Sequence, residues 1–151
     1  MENQTTIVFI KPEAMSIAPK IKNYLARAGQ IIHEQEVTLT KEMIDVIYPH
    51  LSPFIRTATY THLENQKVMV YLIEGQLIIE TILDFVGRNT DPMECSNHTI
   101  RRWCANVIHR EPELLLCGTA FYYQNYVHRA QTWYEVVRQA KALLNMELTE
   151  H

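Results

Sequence analysis

Apolar and polar positions fall into short blocks along the chain, and the period changes from block to block. Thr6 to Ile10 is an apolar, β-branched run closed by Lys11-Pro12, which predicts a buried strand that the proline ends. From Ile17 to Ala28, Ile17, Ile21, Tyr24, Leu25 and Ala28 recur at helical spacing, and Gly29 is a natural stop. Ile31 to Leu39 predicts a strand with Ile31, Val37 and Leu39 on one face. Thr40 can cap a helix from Lys41, with Met43, Ile44, Ile47 and Tyr48 on its apolar side and Pro49 at its end. Pro53 to Leu63 fits a short helix or an ordered loop. Val68 to Ile73 is the clearest strand, bounded by Lys67 and Glu74-Gly75.

The second half is less regular. Leu77 to Val86 reads as an amphipathic helix stopped by Gly87, and Arg88 to Asn97 as a polar connection containing Pro92. A short helix starts near Thr99. Leu114 to Tyr123 is apolar enough for a strand or for a loop over the core, and Asn125 to Ala130 reads as a further strand. Thr132 to Leu144 is a helix with Trp133, Val136, Val137, Ala140, Leu143 and Leu144 on its apolar side. Strands and helices alternate at unequal intervals. That order predicts an α/β or α+β sandwich with helices against a sheet, in one domain spanning residues 1–151.

Composition narrows the class. Hydrophobic residues make up 47% and charged residues 21%, which argues against global disorder. No apolar run approaches the roughly 20 residues that cross a bilayer, so no membrane partner is expected. A net charge of -3 offers no general surface for nucleic acid, although a local basic pocket is compatible with it. The opening MENQTTIVFIKPEAM has no basic leader with a long apolar core, and three cysteines form no even framework. A cytoplasmic protein with reduced thiols is the expectation. Cys95, His98, Cys104 and His109 fall within fifteen residues and could hold zinc, but their spacing matches no standard finger; free, partly buried cysteines are the plainer reading.

Glycine is scarce, at four of 151 residues, and no Gly-rich phosphate loop is present. Any phosphate site must use side chains or helix ends. Lys11 at a strand exit can reach phosphate as a point charge, and Arg101 and Arg102 near a helix start offer forked donors. Each is otherwise an ordinary solvated residue. His109 and His128 each end an Asn-x-x-His segment and precede an arginine. Either suits proton transfer or phosphoryl capture, because a neutral imidazole is nucleophilic near pH 7. Phe121, Tyr122, Tyr123 and Tyr126 either stack on a base or pack the sheet or a subunit contact.

The segment Thr6-Ile-Val-Phe-Ile-Lys11-Pro12-Glu13-Ala14-Met15 resembles the opening of nucleoside diphosphate kinases, in which a strand runs into Lys-Pro-Asp-Ala. The likeness continues in family order through Gly29, Tyr48 before Pro53-Phe54, Glu74-Gly75, Gly87 followed by Thr90-Asp91-Pro92, and Thr99-Ile100-Arg101. It ends in an Asn-x-x-His strand and a closing helix. The resemblance implies a ferredoxin-like four-stranded antiparallel sheet flanked by helices. It implies transfer of the γ-phosphoryl of ATP to a nucleoside diphosphate through a phosphohistidine, with Mg²⁺ carried on the nucleotide, in a homo-oligomer. By position, His128 is the nucleophile and Lys11 its catalytic neighbour. Lys11 and Arg101 hold phosphates, Tyr48 orients them and Thr90 donates to phosphate. Phe54 stacks on the base, and Asn125 meets the ribose hydroxyls. Choosing His128 over His109 leaves an insertion around 106–124.

The chain also departs from that pattern. Arg129 and Ala130 follow the histidine where the family has glycine and serine, Gln139 falls where a glutamate orients the imidazole, and Leu83 falls where an arginine stands. Arg88 or Arg129 could replace that arginine. The alternatives are a catalytically weak or inactive nucleotide-binding regulatory module, and a divergent phosphotransferase.

Overall fold

The computed structural model describes residues 3–108, 115–117 and 120–149. The chain begins with β1 (Asn3–Ile10), a 3-10 turn over Pro12–Ile17, α1 (Ala18–Leu25) and β2 (Gln30–Thr38). Next come α2 (Lys41–Ile47), α3 (Pro53–Leu63), β3 (Lys67–Gln76) and α4 (Ile78–Val86). The last part holds a short 3-10 turn at Pro92–Glu94, α5 (Ile100–Ile108), β4 (Leu115–Cys117), β5 (Ala120–Tyr122), β6 (Val127–Arg129) and α6 (Trp133–Leu144).

One sheet organises the molecule. Its order is β2-β3-β1-β6, and every pairing in it is antiparallel. This is the expected ferredoxin-like α+β arrangement. The central strands are apolar on both sides because both faces are covered. Ile7 and Phe9 join Val68, Val70 and Leu72 in one core with α2 and α6. Val8 and Ile10 join Tyr71 and Ile73 in the other, with α1, α4 and α5. A single run of β1 thus feeds two cores by the two-residue period of a strand.

Three sequence readings are refined. The periodic stretch from Ile17 to Ala28 is α-helical only from Ala18 to Leu25. Pro19 lacks an N–H and fits only the first turn, so the α-helix cannot begin much earlier. Pro53–Leu63, read as helix or loop, is a helix with proline in its first turn and Ala58, Thr59 and Leu63 buried. The apolar stretch 114–123 contains the antiparallel pair β4 and β5 rather than one strand.

Two glycines serve close approaches. A Cβ on Gly29 would lie 2.6 Å from the Glu74 carbonyl oxygen. Gly87 has φ of +119° and packs on Cys95, ending α4 where an L side chain would be strained. α6 starts with a capping box in which Thr132 and Glu135 satisfy each other's backbone N–H groups. No helix among the described residues is long and apolar enough to cross a membrane.

Candidate active site

The exit of β1 and the short strand β6 lie side by side, and their register places the chemistry. His128 pairs with Phe9, and its ring stacks on the Phe9 ring at 4.7 Å. Alternation sends His128 toward α6 and sends Val127 and Arg129 to the opposite face. His128 is only 7% exposed. Its Nε2 lies 2.9 Å from Oε1 of Gln139 on α6, and its Nδ1 lies 3.3 Å from the Tyr48 hydroxyl. A carboxamide oxygen only accepts, so the proton sits on Nε2 and the lone pair of Nδ1 faces Tyr48. Burial, reinforced by the Lys11 charge, holds the imidazole well below its ordinary pKa, against the Gln139 hydrogen bond. The ring is therefore neutral at pH 7, the form a nucleophile requires.

Tyr48 connects His128 to a cavity of about 230 Å³. Lys11, Tyr48, Thr90 and Asn125 supply polar groups to its wall. The Lys11 ammonium donates to Asn125 Oδ1 at 2.6 Å, and Asn125 Nδ2 donates to the Thr90 carbonyl at 3.2 Å. Burial lowers the Lys11 pKa to about 7; Glu13 opposes that shift, while Arg101 and Arg129 add to it. Burial also keeps Tyr48 firmly protonated by raising its pKa.

Two guanidinium groups lie under this corner. Arg101 on α5 donates to the carbonyls of Asn89 at 2.8 Å, Val127 at 3.0 Å and Gly87 at 3.3 Å. It ties the turn after α4 to β6. Burial lowers its pKa to about 9, helped by the Arg129 charge. Arg129 donates to the Arg88 carbonyl at 3.2 Å. The Nε atoms of Arg101 and Arg129 are buried without a hydrogen-bond partner among the described residues. Arg88 turns outward and binds Glu80 and Asp84, so of the two arginines that could replace the one missing at Leu83, only Arg129 is buried at this corner. Leu83 itself is part of the apolar core.

A buried network, unanticipated from the sequence, adjoins the cavity. Glu13 Oε1 accepts from His62 Nε2 at 2.6 Å, and His62 Nδ1 lies 2.6 Å from the Tyr122 hydroxyl. Glu13 Oε2 accepts from the backbone N–H of Tyr126 at 3.1 Å. Burial alone would raise the Glu13 pKa, but the hydrogen bond and charge of His62, with Lys11, bring it below its ordinary value. Forty-nine residues separate Glu13 from His62 and 60 separate His62 from Tyr122, so no local spacing announces the network.

The expected site residues thus fall in three positions. Lys11, Tyr48, Thr90 and Asn125 meet at the cavity, and His128 joins it through Tyr48. Arg101 lies behind, holding backbone. Phe54 is 65% exposed on α3, outside the cavity lining, beside the lining residue Ile55. His109 lies outside the described residues. Of its proposed zinc partners, Cys104 is buried in the α1/α4/α5 core and Cys95 donates to the Asn89 carbonyl at 3.3 Å. Among the described residues no group of three metal-ligating side chains converges.

No family model matches the sequence, and no curated protein matches it. Solved structures do match. A nucleoside-diphosphate kinase from Borrelia burgdorferi, a transition-state mimic with bound vanadate and ADP, aligns with a TM-score of 0.72 at 15% identity, over 99% of this chain and 92% of that one. The nucleoside diphosphate kinase of Aquifex aeolicus aligns at 0.71 and 17% identity, over 93% and 94% of the two chains. An NDP kinase from Pyrobaculum aerophilum aligns at 0.71 and 17%, over 93% and 95%. The chain therefore shares the fold of these kinases over nearly its whole length.

Proposed function

We propose that the chain is a divergent nucleoside diphosphate kinase. It takes a nucleoside triphosphate into the cavity, moves the γ-phosphoryl to His128, and returns it to a nucleoside diphosphate. The observation that carries this is the neutral His128, held by Gln139 and Tyr48 beside a lysine-lined cavity, in a fold shared with such kinases.

In the first half-reaction Nδ1 of His128 attacks the γ-phosphorus, an N–P bond forms, and the bond to the β-phosphate oxygen breaks to release the diphosphate. Tyr48, now against Nδ1, yields that place and donates to phosphate oxygen. Lys11 neutralises the transferring group, with Arg101 and Arg129 contributing positive potential from behind. Thr90 donates to the phosphates and Asn125 to the ribose hydroxyls. Phe54 stacks on the part of the base that reaches the rim. The groups around the cavity suit anionic oxygens better than a bare cation, so Mg²⁺ enters as the counter-ion of ATP or of the other nucleotides. A homo-oligomer and a cytoplasmic location complete the proposal.

Gln139 favours a second reading, a nucleotide-binding module with little transfer. Phosphorylation at Nδ1 puts positive charge on the ring while Nε2 keeps its proton, and a carboxamide stabilises that charge less than a carboxylate does. One assay separates the two. The pure protein is mixed with γ-labelled ATP and Mg²⁺, quenched, and tested for acid-labile label. A nucleoside diphosphate is then added to remove it. Label that depends on His128 and leaves on the chase is expected. Nucleotide binding without label establishes the module instead, and label lost in His109→Ala but kept in His128→Ala moves the nucleophile.

A further inference from the structure

The transfer chemistry leaves two aromatic residues of the cavity unexplained. Tyr122 and Tyr123 both line it, and with Leu51 and Ile55 they make its apolar part. Lys11, Thr90 and Asn125 make its polar part. The cavity is therefore two-sided, fit for a ligand with an anionic end and a flat apolar body.

Tyr122 is held with unusual care. Its hydroxyl meets His62 Nδ1 at 2.6 Å, and the two rings meet edge to face at 5.5 Å. Glu13 secures His62 from behind, and both of those side chains are less than 5% exposed. A buried apolar contact would fix only the depth of the ring. A chain of hydrogen bonds through two buried polar side chains also fixes its direction. Glu13 belongs to the turn that follows Lys11, so the same turn that presents the ammonium also orients the aromatic wall. Phe54, by contrast, is largely exposed and lies outside the lining.

The geometry points to Tyr122 and Tyr123 as the nucleoside-binding wall of the cavity, with Glu13 and His62 as positioning residues for the Tyr122 ring. This rests on the nucleotide reading above and adds to it which half of the ligand gives selectivity. The polyphosphate lies at Lys11 and Thr90 and the ribose at Asn125; the base lies against the two tyrosines. The ligand class is a nucleoside polyphosphate rather than an inorganic one. Stacking on aromatic rings tolerates any base, so the wall selects for a nucleoside without choosing strongly among bases.

The test is calorimetric titration of the full chain with ADP and, separately, with pyrophosphate, both with Mg²⁺. Tyr123→Ala is expected to weaken ADP binding roughly tenfold while changing pyrophosphate binding less than about twofold. Tyr122→Ala is expected to show the same asymmetry. Tyr122→Phe keeps the ring but releases it from His62, and is expected to weaken ADP by about threefold. Tyr123 lies outside the Glu13–His62–Tyr122 chain and is only half-buried, so its variant keeps the inference testable if Tyr122→Ala fails to fold. Equal losses for both ligands, or no loss for ADP, in a folded Tyr123→Ala protein overturn the wall while the nucleotide reading stands. Wild-type protein that binds pyrophosphate as tightly as ADP also overturns it. Wild-type protein that binds neither sinks the nucleotide reading and the wall with it.

Discussion

His128 and His62 are wired alike but lean on different oxygens. Each is a buried histidine with a tyrosine hydroxyl at Nδ1 and a side-chain oxygen at Nε2. For His128 these are Tyr48 at 3.3 Å and Gln139 at 2.9 Å. For His62 they are Tyr122 and Glu13, both at 2.6 Å. The family resemblance leads one to look for the carboxylate behind His128, yet the carboxylate stands behind His62. A carboxylate is a charged acceptor and takes a short, strong hydrogen bond from the ring. A carboxamide fixes the tautomer and adds no charge. Burial, with Lys11, Arg129 and Arg101 around the ring, keeps His128 neutral. The same wiring yields a fastening in one place and an available lone pair in the other.

The strongest way to test this contrast is to break the fastening. Glu13→Ala leaves His62 buried without its acid and is expected to cost about 3–5 kcal/mol of unfolding free energy, read from urea denaturation. A loss below about 1 kcal/mol would mean that the pair fastens nothing. Next, Gln139→Glu gives His128 the partner that His62 has. The carboxylate stabilises a charged ring, so acid-labile label on His128 is expected to rise by roughly tenfold at equilibrium with ATP. Unchanged label in a folded variant would show that charge at this oxygen does not divide the two histidines. Thr132→Ala removes the cap of the helix that carries Gln139 and is expected to cost about 1 kcal/mol, seen in thermal unfolding.

The smallest effect concerns protons. Lys11 falls from an ordinary value of 10.5 to about 7 in the folded chain. Between those values the unfolded chain holds a proton that the folded chain lacks, so this group makes the ligand-free protein more stable as pH rises through that window. A bound polyphosphate favours the ammonium and reverses the shift. ADP binding is then expected to take up a fraction of a proton near pH 8 and to weaken as pH rises further, measured by calorimetry in buffers of different ionisation heat. Proton release on binding would exclude Lys11 as the phosphate partner.

Much of the fold was legible because it depends on local pattern. β1, β3 and α4 carry continuous apolar runs or strong helical periodicity, and α6 adds a capping box. α3 was ambiguous because its buried positions, Ala58, Thr59 and Leu63, include a polar residue and only one large apolar side chain. Lys11, Tyr48, Thr90 and Asn125 line one cavity, and each was easy to single out because it follows a recognisable strand or helix end. The Glu13–His62–Tyr122 chain was not legible. Its members come from a turn, a helix and β5, and only the fold brings them together. Arg129 was visible only as a departure from pattern; its burial beside Arg101 depends on which face of β6 it takes.

The hydrogen bond between Lys11 and Asn125 has a consequence for how ligands are measured. At 2.6 Å the ammonium already has a partner, and that partner is anchored in turn to the Thr90 carbonyl. An arriving phosphate does not meet a bare charge; it competes with an amide that is tethered in place and always present. Observed affinity is therefore an exchange constant, and loosening Asn125 can tighten phosphate binding even where it removes a contact to sugar.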